Sequence, residues 1–144
     1  MPSNVTNALF DINLWLALSF SHHQHHAQAL AALPTLPTPC FCRFTQSGLL
    51  RLLTTIQVMG PGVHTPASAW REYDRMVSGT GAFFVDEPNG LEVQWRHYAN
   101  QGHGASGSAW SDAYLAAFSL CAGLQMVTFD RGFKRFKGLH CHIL

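Results

Sequence analysis

The sequence predicts an α/β domain in which helices flank a central, mainly parallel sheet. Two short apolar runs, residues 5–10 and 124–129, have the length and composition of buried strands. The segments between them carry helix-like apolar spacings, and alternation of helices with strands is typical of a parallel sheet covered on its faces. The chain has 144 residues, the size of one ordinary domain, and we expect residues 1–144 to form a single domain.

Composition narrows the classes of function. The chain is 47% apolar and 12% charged, which excludes a disordered tail and indicates either a well-filled interior or a surface covered by a partner. A formal charge of +1 provides no global basic field for nucleic acid. The four cysteines lack zinc-knuckle spacing, so we expect free thiols in a reducing cytosol. No membrane-spanning or signal-like stretch occurs, which predicts a soluble, cytoplasmic protein.

The first predicted strand ends at an aspartate. Asp11 follows the apolar run directly, and residues 12–18 predict a turn into a helix. Asn13 is the polar amide in this segment. We therefore expect Asn13 to help hold whatever Asp11 holds.

A histidine-rich run, residues 22–26, precedes the next predicted helix. Spacings of three and four on a helix would bring His22 onto one face with His25 or His26, as zinc sites require. No Glu or Cys accompanies them, and Ser21 is a suitable N-cap for the helix that follows. A solvated helix start is therefore favoured over a metal-binding cluster.

The middle of the chain predicts further helices and one short strand, separated by proline and glycine breaks. In order, we expect a loop at Pro34, Pro37 and Pro39, a helix over residues 41–55, a helix from the Thr65 cap and Pro66 to about residue 77, a strand over residues 82–85, and a helix capped by Asp86 and Glu87.

A second isolated aspartate stands in the last predicted helix. Asp112 follows a glycine-rich loop over residues 101–107, which lacks any phosphate-cradling fingerprint. The helix is expected to begin at Asp112 and to end at Gly123, and its alanines at spacings of three and four would let it approach the sheet closely. N-capping is the one structural role available to Asp112.

The third aspartate, Asp130, ends the apolar run over residues 124–129. A glycine turn and a short basic segment follow it, and residues 141–144 predict a final strand. The basic segment concentrates four of the nine Lys and Arg residues beside Asp130: Arg131, Lys134, Arg135 and Lys137.

The three aspartates can share one site if the first and last long strands are neighbours. Ligands bind in open α/β sheets beyond the carboxyl ends of the strands. Carboxylates packed together repel one another unless a cation lies between them, and oxygen ligands suit Mg²⁺ or Mn²⁺ rather than zinc. Such a site supports phosphodiester hydrolysis, and the basic segment would hold the phosphate backbone. Capping remains the alternative for each aspartate taken singly.

Four motifs lie in order along nearly the whole chain: Leu9-Phe-Asp-Ile-Asn13, Arg43-Phe-Thr-Gln-Ser-Gly-Leu-Leu-Arg51, Trp110-Ser-Asp-Ala-Tyr-Leu-Ala-Ala117 and Thr128-Phe-Asp-Arg-Gly-Phe133. They resemble, in the same order, those of PIN-domain toxins of VapC type. The resemblance implies a PIN-domain-like three-layer sandwich, a Mg²⁺- or Mn²⁺-dependent endoribonuclease, and the toxin half of a toxin–antitoxin pair. It also implies a homodimer and inhibition by a VapB-type antitoxin that inserts into the active-site groove.

Residue by residue, the resemblance assigns three acidic positions of the site to Asp11, Asp112 and Asp130, and adjacent polar positions to Asn13 and Ser111. The family's remaining acid, a glutamate early in the second helix, is absent. Residues 45–48 occupy its place without a carboxylate. Either Thr45 or Gln46 supplies a neutral oxygen there, or water fills the gap.

Two other readings compete with an RNA-cleaving toxin. The missing glutamate motivates a catalytically weakened PIN-fold protein that acts by binding RNA or a partner. A receiver-like signalling domain would use an aspartate as phosphoacceptor. The receiver reading is disfavoured because Asp11 lacks an adjacent acid and no lysine occurs before Lys134.

Overall fold

A parallel sheet forms the centre of the computed structural model, which describes residues 5–101 and 107–144. Within these residues the sheet has five strands in the order β3-β2-β1-β4-β5, and every neighbouring pair is parallel. The predicted parallel sheet is therefore confirmed. The strands are β1 (Asn7–Phe10), β2 (Thr38–Phe41), β3 (Phe83–Phe84), β4 (Gln125–Thr128) and β5 (Cys141–Ile143).

Helices cover both faces of the sheet. Side chains of β1 alternate between the two cores, since Ala8 and Phe10 pack on one face and Leu9 on the other. The described ranges contain seven α-helices and three 3-10 helices (Leu33–Thr35, Gly60–Gly62 and Arg131–Arg135). The α-helices are α1 (Ile12–Ser19), α2 (His26–Ala32), α3 (Arg43–Leu53), α4 (Ile56–Met59), α5 (Pro66–Thr80), α6 (Leu91–Asn100) and α7 (Gly107–Ala122).

The resulting sandwich has three layers. The first core joins the sheet to α1, α3 and α5, and the second joins it to α6 and α7. Because β1 and β4 are covered on both faces, they appear in the sequence as apolar runs rather than as alternating patterns.

The order of strands creates a switch point between β1 and β4. From β1 the chain first builds β2 and β3 on one side, and later builds β4 and β5 on the other. Phe10 pairs with Val127, and the backbone N–H of Asp11 donates to the carbonyl oxygen of Val127 at 3.0 Å. The crevice at such a switch point is the usual ligand site of an open α/β sheet.

We predicted a loop at Pro34, Pro37 and Pro39, but β2 begins at Thr38 and includes Pro39, so that prediction was wrong. The N–H of Thr38 faces β1, where it donates to the carbonyl oxygen of Thr6 at 3.1 Å. By alternation Pro39 faces β3, whose pairing begins only opposite Cys40. Pro39 has no backbone N–H, but on that side no residue of β3 is paired with it, so no sheet hydrogen bond is lost. A proline is therefore tolerated inside this strand. The helix predicted over residues 41–55 corresponds to α3 (Arg43–Leu53), which starts later because Phe41 belongs to β2.

Two predicted helix starts were also wrong. Ser21 does not cap α2, which begins at His26 after a series of turns and has His25 at its N-cap position. Asp86 and Glu87 do not cap α6, whose N-cap is Gly90 in a left-handed conformation. By contrast, the Thr65 cap is confirmed, since its hydroxyl accepts from the N–H of Ser68 at 3.1 Å.

The start of α7 lies earlier than predicted. The helix includes Gly107, so Asp112 is its sixth residue rather than its cap. The predicted glycine-rich loop falls largely on residues 102–106, which lie outside the described residues. Gly123 ends α7 with a φ of +69°, as a C-terminal glycine does.

The cysteines are free thiols, as predicted. Cys40 and Cys42 are buried, and burial raises the pKa of Cys40 to about 12, so its thiol stays protonated at neutral pH. Cys121 and Cys141 are half-buried. In residues 5–101 and 107–144, no helix is long and apolar enough to cross a membrane.

Gly48 lets α3 approach α1 closely, and Gly48→Val is expected to lower the free energy of unfolding by about 1–3 kcal/mol. A Cβ at this position would lie 2.9 Å from Cγ1 of Ile12 and closer still to its Cδ1. Ile12 is β-branched and stiff, and it directly follows Asp11. Urea unfolding measures the change.

Gly79→Val is the matched control, because Gly79 also lies in a helix and a Cβ there would meet no atom within 4 Å. Its stability is expected to stay within about 0.5 kcal/mol of wild type, as for an open surface site. Equal stability of the two variants would contradict the close approach at Gly48.

Candidate acidic site at the carboxyl edge of the sheet

Asp11 lies between β1, which ends at Phe10, and α1, which begins at Ile12. Its Oδ1 accepts a hydrogen bond from the N–H of Ile12 at 2.8 Å, at the N-cap position of α1. Its Oδ2 accepts from the hydroxyl of Thr128 at 2.7 Å. Burial raises the pKa of Asp11, while these two hydrogen bonds oppose the rise and the charge of Asp130 adds to it.

Thr128 ties the two strand ends together. Its buried hydroxyl donates to Asp11 and accepts from the backbone N–H of Asp130 at 3.0 Å. One side chain thus orients the carboxylate of β1 and the first turn after β4. Sequence reasoning missed this role, although a threonine two residues before an aspartate at a strand end is a usable signal for it.

Asp130 follows β4 and turns the chain into the short 3-10 helix Arg131–Arg135. Its Oδ1 accepts from the N–H of Gly132 at 2.8 Å. Asp130 is exposed, whereas Asp11 is half-buried. The second carboxylate is therefore presented to solvent beside the first.

Asp112 lies on α7 and is linked to the segment after β4 through Arg135, whose Nη2 lies 3.7 Å from its Oδ2. Burial raises the pKa of Asp112, and the charges of Asp11 and Asp130 raise it further. The two strand-end aspartates thus act on the helical one electrostatically, and both disfavour its charged form.

Arg135 partly neutralises this acidic cluster. Its Nη2 lies 3.7 Å from Oδ2 of Asp112, and this charge lowers the pKa of Asp112. Its Nη1 donates to the carbonyl oxygen of Gly132 at 2.6 Å, and its guanidinium lies 4.2 Å from the centroid of the Phe136 ring. Arg135 is thus held by three contacts. The other cations of the basic segment, Arg131, Lys134 and Lys137, are exposed.

The chemistry of the donors fits a hard divalent cation. All three acids offer carboxylate oxygens, the ligands that Mg²⁺ and Mn²⁺ prefer. Among residues 5–101 and 107–144, however, no three His, Cys, Asp or Glu side chains form a ready-made metal-binding group. Magnesium often uses only one or two protein carboxylates, with waters and substrate phosphates completing its shell. A loose cluster of repelling carboxylates is compatible with that mode of binding.

Thr45 and Gln46, the candidates for a neutral oxygen beside the acids, make hydrogen bonds at the start of α3. The Thr45 hydroxyl accepts from the N–H of Cys42 at 3.0 Å within the cap of α3. The Oε1 of Gln46 accepts from Arg43 at 2.6 Å. Both hydrogen bonds are made at the start of α3. Where the resemblance expects the fourth acid, α3 carries no carboxylate.

Asn13 and Ser111 lie near the acids along the chain. Asn13 is exposed in the first turn of α1, two residues after Asp11. Ser111 is half-buried and lines a groove beside Asp112. Both remain predicted supporting residues.

The histidine run is packed rather than simply solvated. A ring nitrogen of His26 lies 2.6 Å from the carbonyl oxygen of Ala17, and the ring of His25 stacks on Phe129 with centroids 4.6 Å apart. In the part of the chain that the structure describes, these histidines contribute to no three-ligand metal group. The run therefore anchors the segment before α2 to α1 and to the end of β4.

Solved structures of known proteins show the class of this fold, which is the PIN domain. VapBC2 from Rickettsia felis, bound to a DNA fragment from their promoter, superposes with a TM-score of 0.68 at 13% identity, over 95% of this chain and 98% of that chain. VapC20 of Mycobacterium tuberculosis, a sarcin-ricin loop cleaving toxin, superposes with a TM-score of 0.62 at 17% identity, over 88% of this chain and 92% of that chain. VapBC-1 from nontypeable Haemophilus influenzae superposes with a TM-score of 0.63 at 14% identity, over 95% of this chain and 97% of that chain. At these identities the likeness concerns the fold alone.

The family follows from curated relatives. Ribonuclease VapC41 of Mycobacterium tuberculosis, from strains CDC 1551 / Oshkosh and H37Rv, is 43% identical over 148 aligned residues, covering 94% of this chain and 97% of the relative. No protein-family model matches the sequence. The chain belongs to the VapC family, the ribonuclease toxins of VapBC toxin–antitoxin systems. The predicted resemblance and PIN-domain fold are confirmed, and divalent metal use is general in this family.

Proposed function

We propose that residues 1–144 form a single PIN domain that acts as a Mg²⁺- or Mn²⁺-dependent endoribonuclease, the toxin component of a type II toxin–antitoxin system. The observation that carries the proposal is that Asp11 and Asp130 follow the adjacent strands β1 and β4 and share Thr128, while Asp112 pairs with Arg135 of the segment after β4. Within residues 5–101 and 107–144, Arg135 is the one cation in an ion pair with these three acids, so they retain an excess of negative charge. That excess supports binding of a divalent cation.

Asp11, Asp112 and Asp130 are the residues proposed to hold the metal. A divalent cation bound there would neutralise charge on the scissile phosphate and lower the pKa of an attacking water. Thr128 positions the Asp11 carboxylate through the 2.7 Å hydrogen bond, which fixes one ligand before any cation arrives. In the reaction, a bond from the water oxygen to phosphorus forms as the bond to the leaving ribose oxygen breaks.

The basic segment is proposed to hold the RNA backbone. Arg131, Lys134 and Lys137 are exposed next to Asp130 and can contact phosphates without leaving a buried partner. Arg135 is paired with Asp112 at 3.7 Å, so we propose that it balances the acidic cluster before it contacts RNA. This division of roles separates substrate positioning from control of the carboxylates.

The partners proposed are RNA, a cognate VapB-type antitoxin and a second copy of the chain in a homodimer, in the cytoplasm. Large apolar side chains are exposed on and around α4 and α5, which supports coverage of this surface by a protein partner. They are Ile56, Val58, Val63 and Trp70.

One specific observation favours a second candidate, a PIN-fold protein that binds RNA or a partner with little hydrolysis. No carboxylate occupies α3, and no three-acid metal group is formed in the described residues. Under this candidate the acidic cluster would bind a cation weakly and RNA binding would persist without cleavage.

Metal removal tests the proposal directly. Purified protein with Mg²⁺ or Mn²⁺ is expected to cleave RNA, and EDTA is expected to lower the rate by at least about 100-fold because the carboxylates alone cannot activate water. Excess Mg²⁺ should restore cleavage. Gel analysis of total RNA and defined oligoribonucleotides measures it. RNA binding with no metal-dependent cleavage would favour the second candidate instead.

A further inference from the structure

Three aromatic side chains of α6 and α7 form an open platform, which we call the aromatic platform: Trp95, Trp110 and Tyr114. The Trp95 ring stands nearly perpendicular to the other two, with centroids 6.3 Å from Trp110 and 5.2 Å from Tyr114. Its Nε1 donates to the carbonyl oxygen of Trp110 at 3.1 Å. Trp110 is nevertheless 63% exposed. Packing thus fixes the platform while a large aromatic surface faces solvent.

The aromatic platform borders a groove of about 540 Å³, a volume within the range of small-molecule sites. The start of α3 also lines this groove, through Arg43, Phe44 and Ser47. Ser111 lines it as well, and the next residue is Asp112. The groove therefore ends one residue along α7 from Asp112.

The groove is mostly apolar, and besides two serine hydroxyls it carries a charged donor and a charged acceptor that are each held by a hydrogen bond. The Arg43 guanidinium lies 4.6 Å from the centroid of the Phe84 ring, and its Nη1 donates to Gln46 at 2.6 Å. The Glu87 carboxylate accepts from the hydroxyl of Tyr114 at 3.0 Å. Aromatic faces combined with a fixed donor and acceptor match a nucleobase, which is planar and has polar edges.

We infer that this groove binds an unpaired base of the RNA substrate, stacked on Trp110, beside the phosphate that lies at the aspartates. The inference rests on the proposed function. Single-stranded RNA is commonly held by stacking of splayed bases on aromatic side chains. Because Ser111 of the groove and Asp112 are consecutive on α7, we assign the base in the groove and the phosphate at the carboxylates to the same or neighbouring nucleotides.

Trp110→Ala is expected to raise KM for a single-stranded oligoribonucleotide about 5- to 100-fold, the range for the loss of one base–aromatic stack. The oligoribonucleotide carries a cleavage site mapped with the wild-type protein. The kcat is expected to stay near wild type, since Trp110 does not touch the reacting atoms. Trp110→Phe keeps a ring and should recover much of the affinity. A substrate with an abasic ribose at the stacked position should bind wild type and Trp110→Ala equally.

Val93→Ala is the matched control, because Val93 is 77% exposed on α6 and does not line this groove. It should leave KM unchanged. An unchanged KM and unchanged oligoribonucleotide binding for Trp110→Ala, with cleavage intact, would overturn the inference and leave the groove as a protein-docking surface. Equal effects of both substitutions would also overturn it. Failure of the wild-type protein to cleave any RNA would count against the proposed function, so the two failures are distinguishable.

Discussion

Asp11→Asn is expected to reduce RNA cleavage by at least about 100-fold while leaving the fold intact. Asn is as good an N-cap as Asp, so the hydrogen bond from the N–H of Ile12 can persist. The Asn amide can donate to Thr128, whose oxygen already accepts from Asp130. What disappears is the negative charge that a divalent cation needs, and losing even an indirect metal partner typically costs 10–100-fold.

The measurement is initial cleavage rate at saturating Mg²⁺, together with the thermal unfolding midpoint of each variant. Asp74→Asn is the control, because Asp74 is an exposed carboxylate on α5. Its cleavage rate should match wild type. If Asp11→Asn is folded and cuts RNA at the wild-type rate, Asp11 is only a helix cap and the proposed metal site is wrong.

Asp112→Asn is expected to raise the thermal unfolding midpoint at pH 7 in EDTA. Burial and the neighbouring acids raise the pKa of Asp112 above its ordinary value of 3.8. A carboxyl with a raised folded-state pKa stabilises the protein below the unfolded-state pKa, and this stabilisation is lost as pH rises through the folded-state pKa. At pH 7 the ionised Asp112 is therefore unfavourable without metal, and its neutral replacement is not. The difference between variant and wild type should vanish below about pH 4.

Added Mg²⁺ should make the unfolding midpoint of wild type higher than that of Asp112→Asn. At a hundred times its dissociation constant, a ligand that binds only the native state stabilises it by about 2.7 kcal/mol, or about 5–10 °C for a chain of this size. Wild type should show this rise and Asp112→Asn a much smaller one. Differential scanning fluorimetry with and without Mg²⁺ measures both. A lower midpoint for Asp112→Asn in EDTA would instead mean that its pair with Arg135 is a net stabilising contact.

Secondary structure was predictable where one local signal dominated. β1 and β4 are buried on both faces and appear as apolar runs. Thr65 caps α5 and Pro66 is its first residue, as the Thr-Pro pair predicts. In these segments, local preference and tertiary packing agree.

The missed elements are those in which packing overrides local preference. Pro39 argues against a strand, yet β2 fits between β1 and a short β3 because the missing N–H faces an unpaired position. Gly107 argues against a helix start, yet α7 extends to it while Trp110 packs against Trp95 of α6. Neither compensation is visible from neighbouring residues in the sequence.

The candidate site also has some features that local sequence predicts and others that only the tertiary structure determines. Local sequence was sufficient to single out Asp11, Asp112 and Asp130, because an aspartate at the end of a buried strand or beside a small-residue helix face stands out chemically. Tertiary structure alone decided that β1 and β4 are neighbours, that Thr128 bridges their ends and that Arg135 pairs with Asp112. Strand order and side-chain pairing depend on contacts between residues more than 100 positions apart in some cases, as for Thr128 and Asp11. Such contacts form because both faces of the sheet must be buried at once by several elements. The sequence of one segment alone does not determine how these elements pack.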